Sequence, residues 1–134
     1  MIVTAFYAGL LTPLFVLLSI RVIRQRRDAR VGIGHGDDAV LLRRMRVHAN
    51  FAEYVPLALL LMGLLESMGT SRHLLHGLGI ALVVGRLVHA YGVSQTKENL
   101  TLRVTGMTLT FAVLVTAALA CLLKASFGLV SFGP

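Results

Sequence analysis

Charge is scarce in this sequence. Of its 134 residues only 14% are Asp, Glu, Lys or Arg, against roughly 25% in an ordinary soluble domain, while 56% are hydrophobic. That balance excludes a water-soluble globule, and a mean hydropathy of +0.78 points to the bilayer as solvent. Cysteine is nearly absent. Cys121 stands alone, which rules out an internal disulfide and any cysteine-based metal motif. His35, His73 and His76 fall in or near connections and form no metal-ligand spacing, so no metal is expected. With three prolines and no Ser/Pro-rich stretch, there is no sign of a linker or disordered tail. Residues 1–134 read as one domain.

Acids are outnumbered, 6 against 13 Lys and Arg, for a net charge of +7. Nucleic acid is nevertheless not an expected partner. Eight of the thirteen cations are arginines between Arg21 and Arg46, lodged between two apolar runs, where the excess of cations in cytoplasmic connections accounts for them. Marking the charges leaves four apolar segments, residues 2–20, 47–65, 74–93 and 104–123. Each is close to the ~20 residues a helix needs to cross ~30 Å of hydrocarbon. The sequence therefore predicts an all-α protein, a four-transmembrane-helix bundle embedded in lipid. The last segment carries no charge and mixes Leu, Val and Ala with Gly106 and threonines, a composition suited to close helix packing. No Lys or Arg precedes the first segment, so it is expected to persist as a span and not to be cleaved as a signal peptide. Both basic connections, one holding eight arginines and the other Lys97 and Arg103, are expected in the cytoplasm, with both termini outside.

The first connection contains Val31-Gly-Ile-Gly-His-Gly-Asp-Asp-Ala39. Its glycines lack the preceding strand and βαβ context of a phosphate-binding loop and read as a turn. Asp37 or Asp38 then serves as N-cap of a helix that begins in the cytoplasm and runs into the second span.

The informative stretch is Arg43 to Pro56. At 100° per residue, Arg46, Asn50 and Glu53 fall within about 60° of one another, with Arg43 beside them, Tyr54 at the edge and His48 on the opposite side. Glu53 lies ~10 Å deeper than Arg46. An ionised carboxylate at such depth is costly and demands a partner. Arg86, at similar depth in the third span and sharing a face with His89, is one candidate. Two readings stay open: a Glu53–Arg86 ion pair that fixes helix registration, with Asn50 bonding across the bundle, or a polar pocket, open to the cytoplasm, for a small anionic or zwitterionic ligand. Pro56 removes a backbone donor just beyond Glu53 and is expected to bend the helix. Tyr91, on another face than Arg86, reads as an interfacial anchor.

Arg46-Val-His-Ala-Asn50-Phe-Ala-Glu53-Tyr54-Val-Pro56 resembles the second-helix signature of the MAPEG proteins, the membrane-associated proteins of eicosanoid and glutathione metabolism. Gly85-Arg86-Leu-Val-His89 is similar to the end of their third helix. The resemblance covers essentially the whole chain and is nearest to the short bacterial branch, whose members lie in the inner membrane. It implies a homotrimer with glutathione held between helices of neighbouring subunits near the cytoplasmic face. By the same resemblance Arg46, Asn50 and Glu53 bind glutathione, joined by Tyr54, Arg86, His89 and, more loosely, Arg43. Arg103 stands where the family's thiolate-stabilising arginine is found, with Lys97 as the alternative. The synthases' tyrosine one turn past His89 is replaced here by Val93.

Glutathione carries two carboxylates, an ammonium and a thiol of pKa ~8.5. Arginines suit the carboxylates, Glu53 the ammonium, and Asn50 the peptide groups. The resemblance thus implies a glutathione transferase or peroxidase acting on hydrophobic small molecules from the bilayer. The alternatives are a non-catalytic ligand-binding or scaffold trimer of the same fold, and transport of protons or small solutes through the polar stripe. Transport is weakened by the lack of any inverted repeat.

Overall fold

The computed structural model describes residues 1–95 and 99–131, with side chains to residue 128. Four α-helices follow one another: α1 (Ile2–Asp28), α2 (Ala39–Ser67), α3 (Arg72–Ser94) and α4 (Leu100–Ser131). All four are long and apolar enough to cross a membrane. Each contains the corresponding predicted span and exceeds it. At 1.5 Å per residue, the 27 residues of α1 make a rod of about 40 Å, so its arginine-bearing end projects past the hydrocarbon. α1 continues through Pro13 and α2 through Pro56 without interruption.

The turn joining α1 to α2 is knitted by its own polar groups. Arg30, Gly34, Gly36 and Asp37 all have positive φ. The Arg26 guanidinium donates to the carbonyls of Gly32 (3.3 Å) and Gly34 (2.9 Å). Of the two aspartates, Asp38 is the cap: its Oδ1 accepts from the backbone N–H of Val40 (2.7 Å) and Leu41 (3.0 Å), while Oδ2 accepts from the Gln25 side-chain amide at 2.7 Å. These bonds satisfy donors that open every helix unpaired. Gly69, at φ 70, closes the other end of α2. The amides of Gly69 and Thr70 there bond back to the carbonyls of Glu66 and Leu65, as an αL residue allows.

Within the bundle, α2 and α3 form the centre. α2 touches all three other helices and α3 does likewise, whereas α1 and α4 make no contact with each other among the described residues. Leu11, Leu41, Ala58, Met62, Leu65, Leu75, Leu82, Val113 and Ala117 are essentially inaccessible. Many other large apolar residues, among them Leu60, Ile80, Val115 and Leu122, remain exposed on the outer faces, as lipid requires.

Small residues set the α3–α4 distance. A Cβ on Gly106 would lie 2.6 Å from both the Gly85 carbonyl oxygen and the His89 nitrogen. The two backbones therefore meet where neither helix has a side chain, the close approach that drives association in lipid. Gly79 does the same for α1, since a Cβ there would occupy the ring of Tyr7. The Tyr7 hydroxyl crosses that gap to His76, 3.0 Å from its Nδ1 and 3.2 Å from its carbonyl. His76 is thus tied to α1, a partner that its place near a connection did not reveal.

Two outcomes follow from this packing. Gly106→Ala is expected to destabilise the protein by ~1–3 kcal/mol through overpacking. Gly9→Ala, with nothing within 4 Å of the added Cβ, should leave thermal melting in detergent unchanged or raise stability by up to ~1 kcal/mol. Equal melting of the two variants would show that the glycine contact does not hold α4. The second concerns acid. The Gln25 amide, with the Leu41 and Val40 N–H groups and Arg44 adding to it, lowers the Asp38 carboxyl from its ordinary 3.8. A carboxylate whose pKa is depressed on folding stabilises above its unfolded value and loses that contribution as pH falls through the folded one. Asp38→Ala should therefore flatten the decline in stability below about pH 4, read as melting temperature against pH.

Candidate functional site

α2 delivers its polar stripe to one place. Arg43, Arg46, Asn50 and Glu53 line a single cavity of about 450 Å³ together with His89 of α3 and Arg103 of α4. The spacing that put the four α2 residues on one face is realised, and two further helices contribute an imidazole from α3 and a cation from α4. A volume of this size lies within the ~300–1,000 Å³ of small-molecule sites. Val93 also lines it.

Glu53 stands midway along α2, with fourteen residues to either end of the helix. Its side chain has no hydrogen bond or ion pair among the described residues, and it is exposed in the single chain. The registration pair with Arg86 does not form. Arg86 instead lies behind the stripe, 1% exposed, and its Nη2 donates to the Asn50 Oδ1 at 2.7 Å. Nη1 reaches the Thr110 hydroxyl at 3.5 Å, and that hydroxyl in turn donates to the Gly106 carbonyl at 2.9 Å. Asn50 therefore does bond across the bundle.

The consequence for Asn50 is chemical. A guanidinium has donors only, so its partner must be the amide oxygen, and the Asn50 NH2 is left to face the cavity. Arg86 thereby turns Asn50 into a donor toward any occupant. Tyr54 is likewise outside the cavity lining, its ring packed edge-on against Phe111 of α4 with centroids 5.4 Å apart. His48, on the opposite side of α2 as its angle predicted, stacks on Phe15 at 4.9 Å and reaches the Ser19 hydroxyl at 3.0 Å. Tyr91 is exposed. Lys97 lies outside the described residues.

Arg103 reaches the cavity because of Gly92, whose role no motif in the sequence marks. A Cβ on Gly92 would lie 2.8 Å from the Leu102 Cβ and 2.9 Å from the Arg103 nitrogen, so any other residue would push the first turn of α4 away. The Asn99 N–H also bonds to the Gly92 carbonyl at 3.1 Å, and the Asn99 side chain accepts from the Leu102 N–H at 3.1 Å. The start of α4 is thus clamped onto the end of α3. On the α2 side, Arg43 donates to the Gln95 carbonyl at 3.1 Å, tying the end of α3 to α2. A glycine near the end of a helix and an asparagine just before the next were the available signals, but neither says which backbone approaches.

Three arginines, one carboxylate, one amide donor and one imidazole thus surround a space opening at the arginine-rich end of the bundle. Such a set is chemically complementary to a molecule that carries both anionic groups and an ammonium. Known proteins resemble this chain over most of its length. A model of the MAPEG family matches residues 4–123. Over 90 residues the chain is 40% identical to the inner membrane protein YecN of Escherichia coli strain K12, an alignment covering 67% of this chain and 69% of that protein. The same values hold for the inner membrane protein YecN of Escherichia coli O6:H1, strain CFT073 / ATCC 700928 / UPEC. With the match running through all four membrane-crossing helices, this chain belongs to the MAPEG family.

Proposed function

We propose that the protein binds glutathione in the 450 Å³ cavity and presents its thiol to hydrophobic electrophiles or peroxides arriving from the bilayer, as a glutathione transferase or peroxidase. The observation that carries this reading is Glu53: a mid-helix carboxylate with no partner among the described residues, in one cavity with Arg43, Arg46 and Arg103. Burying a carboxylate without a counter-charge is costly in lipid, and the ammonium of glutathione supplies one. The arginines of α2 then take the two carboxylates through charge-assisted hydrogen bonds, and the NH2 of Asn50, oriented by Arg86, donates to a peptide carbonyl.

Arg103, entering from α4, is the cation assigned to the sulfur. Lowering the thiol pKa by about two units takes ~2.7 kcal/mol of thiolate stabilisation, within reach of one arginine in a poorly hydrated pocket. In a transfer, the thiolate attacks an electrophilic carbon, the S–C bond forms and the leaving group departs with its electron pair. With a hydroperoxide, two glutathiones give one disulfide, an alcohol and water. The exposure of Arg46 and Glu53 in the single chain fits a homotrimer in which a neighbouring copy closes the cavity. In this reading the arginine-rich end lies in the cytoplasm by its excess of cations, both termini lie outside, and the protein sits in a bacterial inner membrane like its named relatives.

Val93 favours a second reading, a trimer that binds glutathione without turning it over. It lines the cavity where the resemblance to the synthases calls for a tyrosine, so no hydroxyl stands at that point. Glutathione binding with no turnover over a broad panel of electrophiles and peroxides would select it.

Glu53→Gln is expected to weaken glutathione binding by about tenfold or more, the worth of a charge-assisted bond, with melting of the ligand-free protein unchanged. Intact affinity with a lowered melting temperature would assign Glu53 to the fold and remove the proposal. Arg103→Ala should lower turnover by ~100-fold, equivalent to two pKa units, and abolish the ultraviolet thiolate absorbance while leaving calorimetric affinity near that of the parent. A proportional loss of affinity and turnover would take Arg103 off the sulfur.

A further inference from the structure

The opposite end of the bundle holds a second cavity, of about 530 Å³, between the first turn of α1, the end of α2 and the first turn of α3. Part of its wall is apolar: Ile2 and Phe6 line it and are exposed toward the surroundings of the bundle. The rest is polar and of both signs. Glu66 directs its carboxylate here because its two oxygens accept from the first amides of α1, Val3 at 2.9 Å and Thr4 at 2.8 Å. The Met1 ammonium stands 3.9 Å from Oε1, beyond hydrogen-bond distance, and each carboxylate oxygen retains further acceptor capacity.

Facing that acid are donors without partners. The Arg72 guanidinium lines the cavity and makes no hydrogen bond or ion pair among the described residues. The Thr70 hydroxyl is buried with no hydrogen-bond partner, although a buried hydroxyl normally has one. His76 has its Nδ1 at the Tyr7 hydroxyl, which leaves Nε2 as the unused edge of its ring. An isolated helix cap explains Glu66 but accounts for neither Arg72 nor Thr70.

We propose that this cavity is a phospholipid site selective for a phosphoethanolamine headgroup. The phosphate is received by Arg72 and the Thr70 hydroxyl, at the positive end of the α3 dipole. The primary ammonium hydrogen-bonds Glu66 in place of the looser contact with the Met1 ammonium, and an acyl chain lies along Ile2 and Phe6. A choline headgroup, whose methylated nitrogen has no N–H, loses the bond to Glu66. A glycerol headgroup has no cation to offer it.

Native mass spectrometry of the full chain in detergent, titrated with phosphatidylethanolamine, phosphatidylcholine or phosphatidylglycerol, tests this. One phosphatidylethanolamine per chain should be retained with a preference of about tenfold over either competitor, and Arg72→Met should reduce its retention about tenfold. Thr70→Val, which preserves side-chain shape, should reduce it about threefold. Equal retention of the three lipids by the parent protein, or unchanged retention in Arg72→Met, overturns the proposal. A folded state for each variant is verified by its melting curve, and glutathione affinity, which belongs to the other end of the bundle, should not move. Soluble phosphoethanolamine that binds as tightly as the lipid and displaces it would identify a water-borne ligand and overturn the lipid assignment.

Discussion

Hydrocarbon offers neither donors nor acceptors, so each polar group sunk in these helices must meet its partner inside the bundle. The bond from Arg86 to Asn50 is where that constraint acts most strongly. A guanidinium almost wholly removed from solvent sits between α3 and α2 and reaches Thr110 of α4 as well. It joins three helices at one depth, and it dictates which atoms of Asn50 are left for the cavity. The polar stripe of α2 acquires its chemical direction from a residue that does not line the cavity.

Glycine permits this arrangement. Arg86 reaches Thr110 only because α3 and α4 lie close, and they lie close because Gly85 and Gly106 oppose each other with no side chain between. The same device recurs at Gly79, which admits the ring of Tyr7, and at Gly92, which admits the first turn of α4 and with it Arg103. Bundle packing and the construction of the cavity are therefore one problem. A methyl group in the wrong place would disturb both.

Much of the helical order was legible along the chain. Four apolar stretches of span length, an aspartate ahead of α2 and the 100° arithmetic that separated His48 from Glu53 all depend on residues within a few turns of each other. Those expectations hold in the structure. The pairing of Arg86 was not legible, because equal depth pointed it to Glu53, whereas its guanidinium meets Asn50, nearly one turn away on the same face. The use of Glu66 as a cap for α1 escaped for a similar reason: 62 residues separate the carboxylate from the amide of Thr4, and no periodicity links them.

By itself the sequence determined the solvent, the number of crossings, the concentration of arginine at one end and the alignment of Arg43, Arg46, Asn50 and Glu53 on one helix face. These follow from hydropathy and helical pitch, which are properties of neighbouring residues. Tertiary structure decided which helices touch, that Arg86 positions Asn50 and leaves Glu53 unpaired among the described residues, and that Arg103 enters the same cavity. Those depend on how closely two backbones approach, and that distance is set by side-chain volumes on both partners at once, which no single stretch of chain contains.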